Sequence, residues 1–154
     1  MTSTLRALWL AVLLGLACAP PASAHTRSQS SSHWRVEGDV LLGRVQADAL
    51  DVTRLYALGG DAPLEETFRA HAAESFTVST AAGACRLHDA PALAPSASGR
   101  VAVTLRFDCP HGALDHGAFN LKSMLFLSVA ASHLHFVSVT RADGAEAENV
   151  PIGT

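Results

Sequence analysis

The stretch RVAVTLRFDCP, residues 100–110, alternates without interruption. Val101, Val103, Leu105, Phe107 and Cys109 fall on one side of an extended chain, and Arg100, Thr104, Arg106 and Asp108 on the other. A period of two with one apolar and one charged side marks a strand half-buried in an antiparallel sheet whose second face meets water.

Neighbouring segments carry the same period. In HWRVEGDVLLGRVQADAL, Trp34 and Val36 share a side, Glu37-Gly38-Asp39 makes a turn, and Val40 to Ala47 resumes the strand, which reads as a hairpin. LDVTRLY continues as a short strand with Leu50 and Val52 in phase, and LGGD ends it. SFTVST places Phe76, Val78 and Thr80 on one face, and after a turn at Gly83 come Cys85 and Leu87 in phase. PALAPSASG reads as a loop and PHGALDHGAF as a connection. From Leu125 to Val139 the chain is apolar on both faces, as in central strands covered on either side. RADGAEA closes at a turn on Asp143-Gly144, and residues 149–154 read as a frayed tail.

One segment changes period. Asp61 can cap, Pro63 suits a first helical turn, Glu65 and Glu66 favour the positive end of the helix dipole, and Leu64, Phe68 and His71 or Ala72 repeat at helical spacing. A helix is predicted from Pro63 to Ser75. About seven short strands and one helix predict a mainly β protein: a two-layer antiparallel β-sandwich, immunoglobulin-like or Greek-key, with one helical crossover.

The N-terminus reads as an export signal. Arg6 precedes an apolar run from Ala7 to Ala17, and Ala22-Ser23-Ala24 offers an A-x-A cleavage site. The run is too short to span a bilayer. Lipidation at Cys18 is the competing reading, against which LGLAC is a poor lipobox. The expected organisation is a signal peptide over 1–24, a Ser-rich arm over 25–32 that is either ordered or loose, a β-sandwich domain over 33–148 and the tail. Cleavage after Ala24 gives a periplasmic or secreted product. Loss of Arg6 with no acid takes the net charge from −3 to −4, which leaves no electrostatic footprint for nucleic acid. No second apolar stretch is long enough to cross a membrane. Removal of Cys18 leaves Cys85 and Cys109, an even pair expected to form a disulfide in an oxidising compartment.

No G-x-S-x-G elbow, H-E-x-x-H, Gly-rich phosphate loop or C-x-x-C pair is present, so an enzyme is not expected. Histidine is the informative residue: all eight lie from His25 onward, in a chain with one lysine. Neutral imidazole binds copper, nickel and zinc. His133 and His135 form an H-x-H whose rings share a strand face. His25, freed at the N-terminus, would offer an α-amine and an imidazole to one ion. The alternative for the H-x-H is a core strand end with its ring nitrogens satisfied by backbone. His111 and the Asp115-His116 pair are weaker candidates, His71 reads as a partly buried structural residue, and His33 and His88 as surface residues.

The ordered segments AHTRSQSSSHWRVEGD, DVTRL, ACRL, RVAVTLRFDCP and SHLHFVSV together resemble the extracytoplasmic N-terminal region of HupE/UreJ-type hydrogenase and urease accessory membrane proteins. Matching positions are His25, Trp34, Gly38, Thr53-Arg54-Leu55, Cys85, Cys109, His133 and His135. The resemblance implies transition-metal handling, nickel or cobalt in particular, and an integral membrane partner. A membrane part is not seen here, so transport does not carry over, and the chain is expected to be a stand-alone paralogue or a truncated frame. Two functions follow as expectations. One is a periplasmic accessory domain that binds or presents a divalent transition metal (nickel, cobalt, copper or zinc) through His25, His133 and His135. The other is a protein-protein interaction module of the cell envelope that binds no metal.

Overall fold

The structure, a computed structural model, describes residues 28–115, 118–140 and 146–152, the last of these as backbone alone. The signal peptide with its cleavage site after Ala24, Cys18, His25, His116 and the turn at Asp143-Gly144 lie outside the described residues.

The strand read first, Arg100–Asp108, is a strand over that whole range. In chain order the described strands are β1 (Gln29–Glu37), β2 (Val40–Asp48), β3 (Phe76–Thr80), β4 (Gly83–Ala84), β5 (Arg86–Leu87), β6 (Ala92–Ala94), β7 (Arg100–Asp108), β8 (Asn120–Ser123), β9 (Leu134–Thr140) and β10 (Glu146–Ile152). The protein is mainly β, in two sheets. One has seven strands in the order β10-β9-β1-β2-β7-β5, with β6 also on β7; the other is β4-β3-β8. Helix α1 (Ala49–Val52) runs into a 3-10 turn over Thr53–Leu58, and α2 spans Leu64–Ser75.

The β1–β2 hairpin turns on Gly38-Asp39, with Gly38 at φ 60° as the first position of a two-residue II′-type turn requires. The register then sets Trp34 opposite Gly43, and Gly43 opposite Leu105 on β7. The Trp34 ring is fully buried over the space that Gly43 leaves: a Cβ added at Gly43 would lie 2.3 Å from the indole. Around it close Phe76 of the small sheet, at 5.6 Å between ring centroids, and Phe107 of β7, at 6.0 Å. The two sheets therefore share one core. Helix α2 adds Phe68 and Ala72, one turn apart on the buried side, and Phe68 stacks on Phe126.

Several expectations need correction. The pairing is not all antiparallel, because β1 and β9 run parallel. The segment LDVTRLY is helical: Val52 and Leu55, three residues apart, are buried while Leu50 is 76% exposed, so the period was 3.6 and not 2. Residues 125–132 form turns. Leu125 and Phe126 are both buried although adjacent, and Phe126 reaches the core from a left-handed φ of 61°, which no strand adopts. Within PALAPSASG, Ala92–Ala94 pairs with β7. Residues 149–152 belong to β10 and pair with β9. The first strand starts at Gln29, inside the Ser-rich arm and ahead of the boundary drawn at His33. Pro63, not Asp61, is the cap residue of α2, and no side chain caps it.

Cys85 and Cys109 form a disulfide, with Sγ atoms 2.02 Å apart. It ties the β4–β5 corner to the end of β7, and the Cys109 amide also donates to the Asp39 carbonyl at 2.8 Å, so the hairpin turn is held to the same corner. Closing 24 residues of chain separation stabilises the fold by about 3 kcal/mol through the unfolded state. Among the described residues no helix is long and apolar enough to cross a membrane.

Gly43→Ala is the sharpest test of this packing. The added methyl must displace the indole, so thermal denaturation should show a loss of about 1–3 kcal/mol, a fall in Tm of several degrees. Gly99→Ala, in a turn with open space around it, acts only through its φ of 77° and should cost less.

Candidate functional site

Ser28, Ser30 and Ser32 stand at every second position, in phase with Trp34 and Val36, so β1 carries its serines into the core. The parallel partner β9 follows His133 and carries His135, and the register sets Ser30 opposite His135. Each histidine is 3% exposed. Their rings interleave with the serine hydroxyls. His133 Nδ1 lies 2.6 Å from Ser28 Oγ and its Nε2 2.7 Å from Ser30 Oγ; His135 Nδ1 lies 2.6 Å from Ser30 Oγ and its Nε2 2.8 Å from Ser32 Oγ. Trp34 Nε1 donates to Ser32 Oγ at 2.8 Å. Phe76 packs edge-on against His135, and Phe126 lies 4.7 Å from His133 between ring centroids.

The chain has one fixed donor, at its Trp34 end. The indole N–H can only donate, so Ser32 accepts from it; we assign the Ser32 proton to His135 Nε2, which runs the chain in one direction. His135 is then the Nδ1–H tautomer and donates to Ser30. Ser30 donates to His133 Nε2, and His133 Nδ1–H donates to Ser28. Each of the five bonds then carries one proton, and in this order both imidazoles are neutral. Burial enforces the same state: it lowers the pKa of His133 and takes that of His135 to about 4, with the neighbouring His133 adding to the effect on His135. Asp51, which accepts the Gln29 amide and pairs with Arg54, partly opposes the shift at His133, while Arg54 adds to it. His71 is likewise lowered by burial, against the nearby Glu74, and its Nε2 accepts the Phe126 amide at 3.3 Å.

The H-x-H rings thus share a face, as the spacing predicted, but serines rather than backbone satisfy them. All four ring nitrogens are occupied. Ser30 Oγ sits between His133 Nε2 and His135 Nδ1 at hydrogen-bonding distances, longer than the roughly 2.0–2.1 Å of a zinc–imidazole bond. Among the described residues no group of three or more His, Cys, Asp or Glu is arranged to hold a metal ion. Ser30 and Ser32 each face an imidazole lone pair, as a nucleophile faces its base, yet they are 4% and 3% exposed, out of reach of a substrate. The remaining described histidines are elsewhere. Exposed His33 contacts Ser138 Oγ at 2.9 Å and Thr140 Oγ1 at 3.2 Å. His88 pairs with Asp108, and His111 with Asp39, whose carboxylate raises the His111 pKa by hydrogen bonding.

The opposite face of β1 carries His33 and Arg35 outward. The register places Arg35, Leu42 and Arg106 in one row across β1, β2 and β7, and His33, Arg44 and Thr104 in the next. A groove of about 420 Å³ runs between His33, Arg35, Leu42, Arg44 and Thr104. Arg35 pairs with Glu37 and Arg106 with Asp108, whereas Arg44 donates to the Pro95 carbonyl and is in no ion pair among the described residues.

Both features were within reach of sequence reasoning. Extending the phase of Trp34 and Val36 backwards puts Ser28, Ser30 and Ser32 inward, and extending the phase of His33 puts Arg35 outward. No protein-family model matches the chain, and no curated protein matches it.

Two measurements test the buried chain. Ser30→Ala strands one nitrogen on each ring, so chemical denaturation should show a loss of about 2–4 kcal/mol, while Ser31→Ala on the outer face costs well under 1 kcal/mol. The folded state holds His71, His133 and His135 below their unfolded pKa of about 6.5, so their contribution is complete above that pH and is lost as the pH falls towards 4. For His135 alone the shift to about 4 corresponds to about 3 kcal/mol. Denaturation midpoints recorded from pH 7.5 to pH 4 should fall through that window, and a flat profile would refute the assignment.

Proposed function

We propose that the protein is a non-catalytic interaction domain of the cell envelope, exported and stapled by its disulfide, and that it meets its partner with the open face of the seven-stranded sheet. The groove between His33, Arg35, Leu42, Arg44 and Thr104 is the observation that carries this reading. It is concave, exposed, lined by fork-shaped and aromatic donors around one apolar side chain, and built on three adjacent strands held rigid by Trp34 beneath. Such a mix suits recognition of polypeptide. The finer architecture, an immunoglobulin-like sandwich, is part of the same reading and is supported by the core that Trp34, Phe76 and Phe107 share between the sheets.

One observation favours the metal reading as a second possibility: His133 Nε2 and His135 Nδ1 converge on a single atom, Ser30 Oγ, where an ion replacing the hydroxyl would meet two imidazoles. His25 would complete that set with its amine and ring. Such binding must break a satisfied, buried network, which makes it the weaker of the two.

A photo-crosslinking residue at Thr104, in the groove, should capture a discrete envelope partner, insensitive to chelator, while one at Glu65 on α2 should not. Titration of nickel, cobalt, copper and zinc into protein that starts at His25 should show no tight site. Absence of a Thr104 adduct contradicts the interaction reading. Tight metal binding that vanishes when one residue is added ahead of His25 supports the second reading, because that addition blocks the amine without touching the core.

A further inference from the structure

Strand geometry makes the groove more specific than a general contact surface. Arg35 stands opposite Leu42, and Arg44 is two residues further along β2 on the same face, so Arg35 and Arg44 are diagonal neighbours about 7–8 Å apart. In an extended polypeptide, side chains two residues apart point the same way with a spacing of about 7 Å. The two spacings coincide. Each guanidinium binds a carboxylate through two parallel N–H donors. Among the described residues Arg44 has only a carbonyl as partner, and the Arg35–Glu37 pair is an exposed one, with side chains 58% and 48% accessible, of the kind that exchanges at little cost. His33 and Thr104 add donors in the row of Arg44, and Leu42 offers the apolar contact beside them.

We propose that the groove binds an extended acidic segment of a partner polypeptide, with carboxylates two residues apart on Arg35 and Arg44 and a flanking apolar side chain on Leu42. The proposal rests on the interaction reading and names its ligand. Charge separates the site from the rest of the molecule. The chain as a whole is acidic, yet Arg35, Arg44, Arg100 and Arg106 all stand on this face; Arg35, Arg100 and Arg106 pair there with Glu37, Asp48 and Asp108, and Arg44 is in no ion pair among the described residues. An acidic body with a local cationic groove selects a short anionic segment over an extended polyanion, since the acids around the groove repel anything that overruns it.

The probe is a short fluorescein-labelled peptide with two carboxylates separated by one residue and a leucine alongside, followed by anisotropy against the full mature protein. It should bind, more weakly as salt is raised, and at least tenfold more weakly to Arg44→Glu and to Arg35→Glu at unchanged Tm. Arg100→Glu, on the same face but paired with Asp48 outside the groove, should bind within twofold of the unaltered protein. A peptide with amides in place of the carboxylates should not bind. Equal binding to Arg44→Glu, or no binding at all, overturns the proposal. So does equal capture of anionic lipid vesicles or an oligonucleotide. If the peptide fails while the Thr104 crosslink persists, the acidic ligand is wrong and the interaction reading stands; loss of both removes both.

Discussion

The fold depends on one row of hydrogen bonds, Trp34 to Ser32 to His135 to Ser30 to His133 to Ser28, buried across the parallel pair β1 and β9. Strand β1 joins β9 and β10 on one side to β2 and β7 on the other, so β1 and β9 are held together across about a hundred residues of chain. An apolar row would have supplied burial with little register. A row of alternating serines and imidazoles fits at one register alone: a slip by one residue turns the serines outward and leaves four ring nitrogens without partners in the core. The energy at stake lies in what a slip leaves unmade, since each buried unsatisfied group costs about 1–3 kcal/mol. The glycine opposite Trp34 belongs to the same device, because the indole reaches Ser32 only while it lies flat over Gly43.

This constraint divides β1 into two functions. Its even-numbered side chains face inward and are spent on the network and the core; its odd-numbered ones, His33 and Arg35 among them, face water and line the groove. Rigidity below thus positions donors above. The imidazoles that would otherwise invite a metal have their lone pairs directed at hydroxyl protons, and their burial keeps them neutral. Chemistry available to a partner is therefore on the outer face, where Arg44 has no carboxylate among the described residues.

The parts of this arrangement legible in the sequence are those governed by local period. Strand β7, the β1–β2 hairpin with its turn at Gly38 and helix α2 all show two-fold or helical alternation over five residues or more. The shared face of His133 and His135 and the pairing of Cys85 with Cys109 were readable for the same reason and from cysteine parity. Short or doubly buried segments were not. Val52 and Leu55 span a single turn, too few residues to separate period 3.6 from period 2, and the Leu125-Phe126 pair is buried by a left-handed backbone that no alternation announces. Parallel pairing of β1 with β9 is a tertiary fact with no local signal. Composition left the serines open: a polar run at SQSSS reads as either an ordered edge or a loose arm until Ser28, Ser30 and Ser32 are matched to buried ring nitrogens far along the chain.

Long-range proton–nitrogen correlation spectra of the imidazoles at pH 7 test the central claim directly. With its protons ordered from Trp34 towards Ser28, the chain has His133 and His135 both neutral, protonated at Nδ1, with Nε2 a bare acceptor. Either ring protonated at Nε2, or carrying charge at that pH, would contradict it.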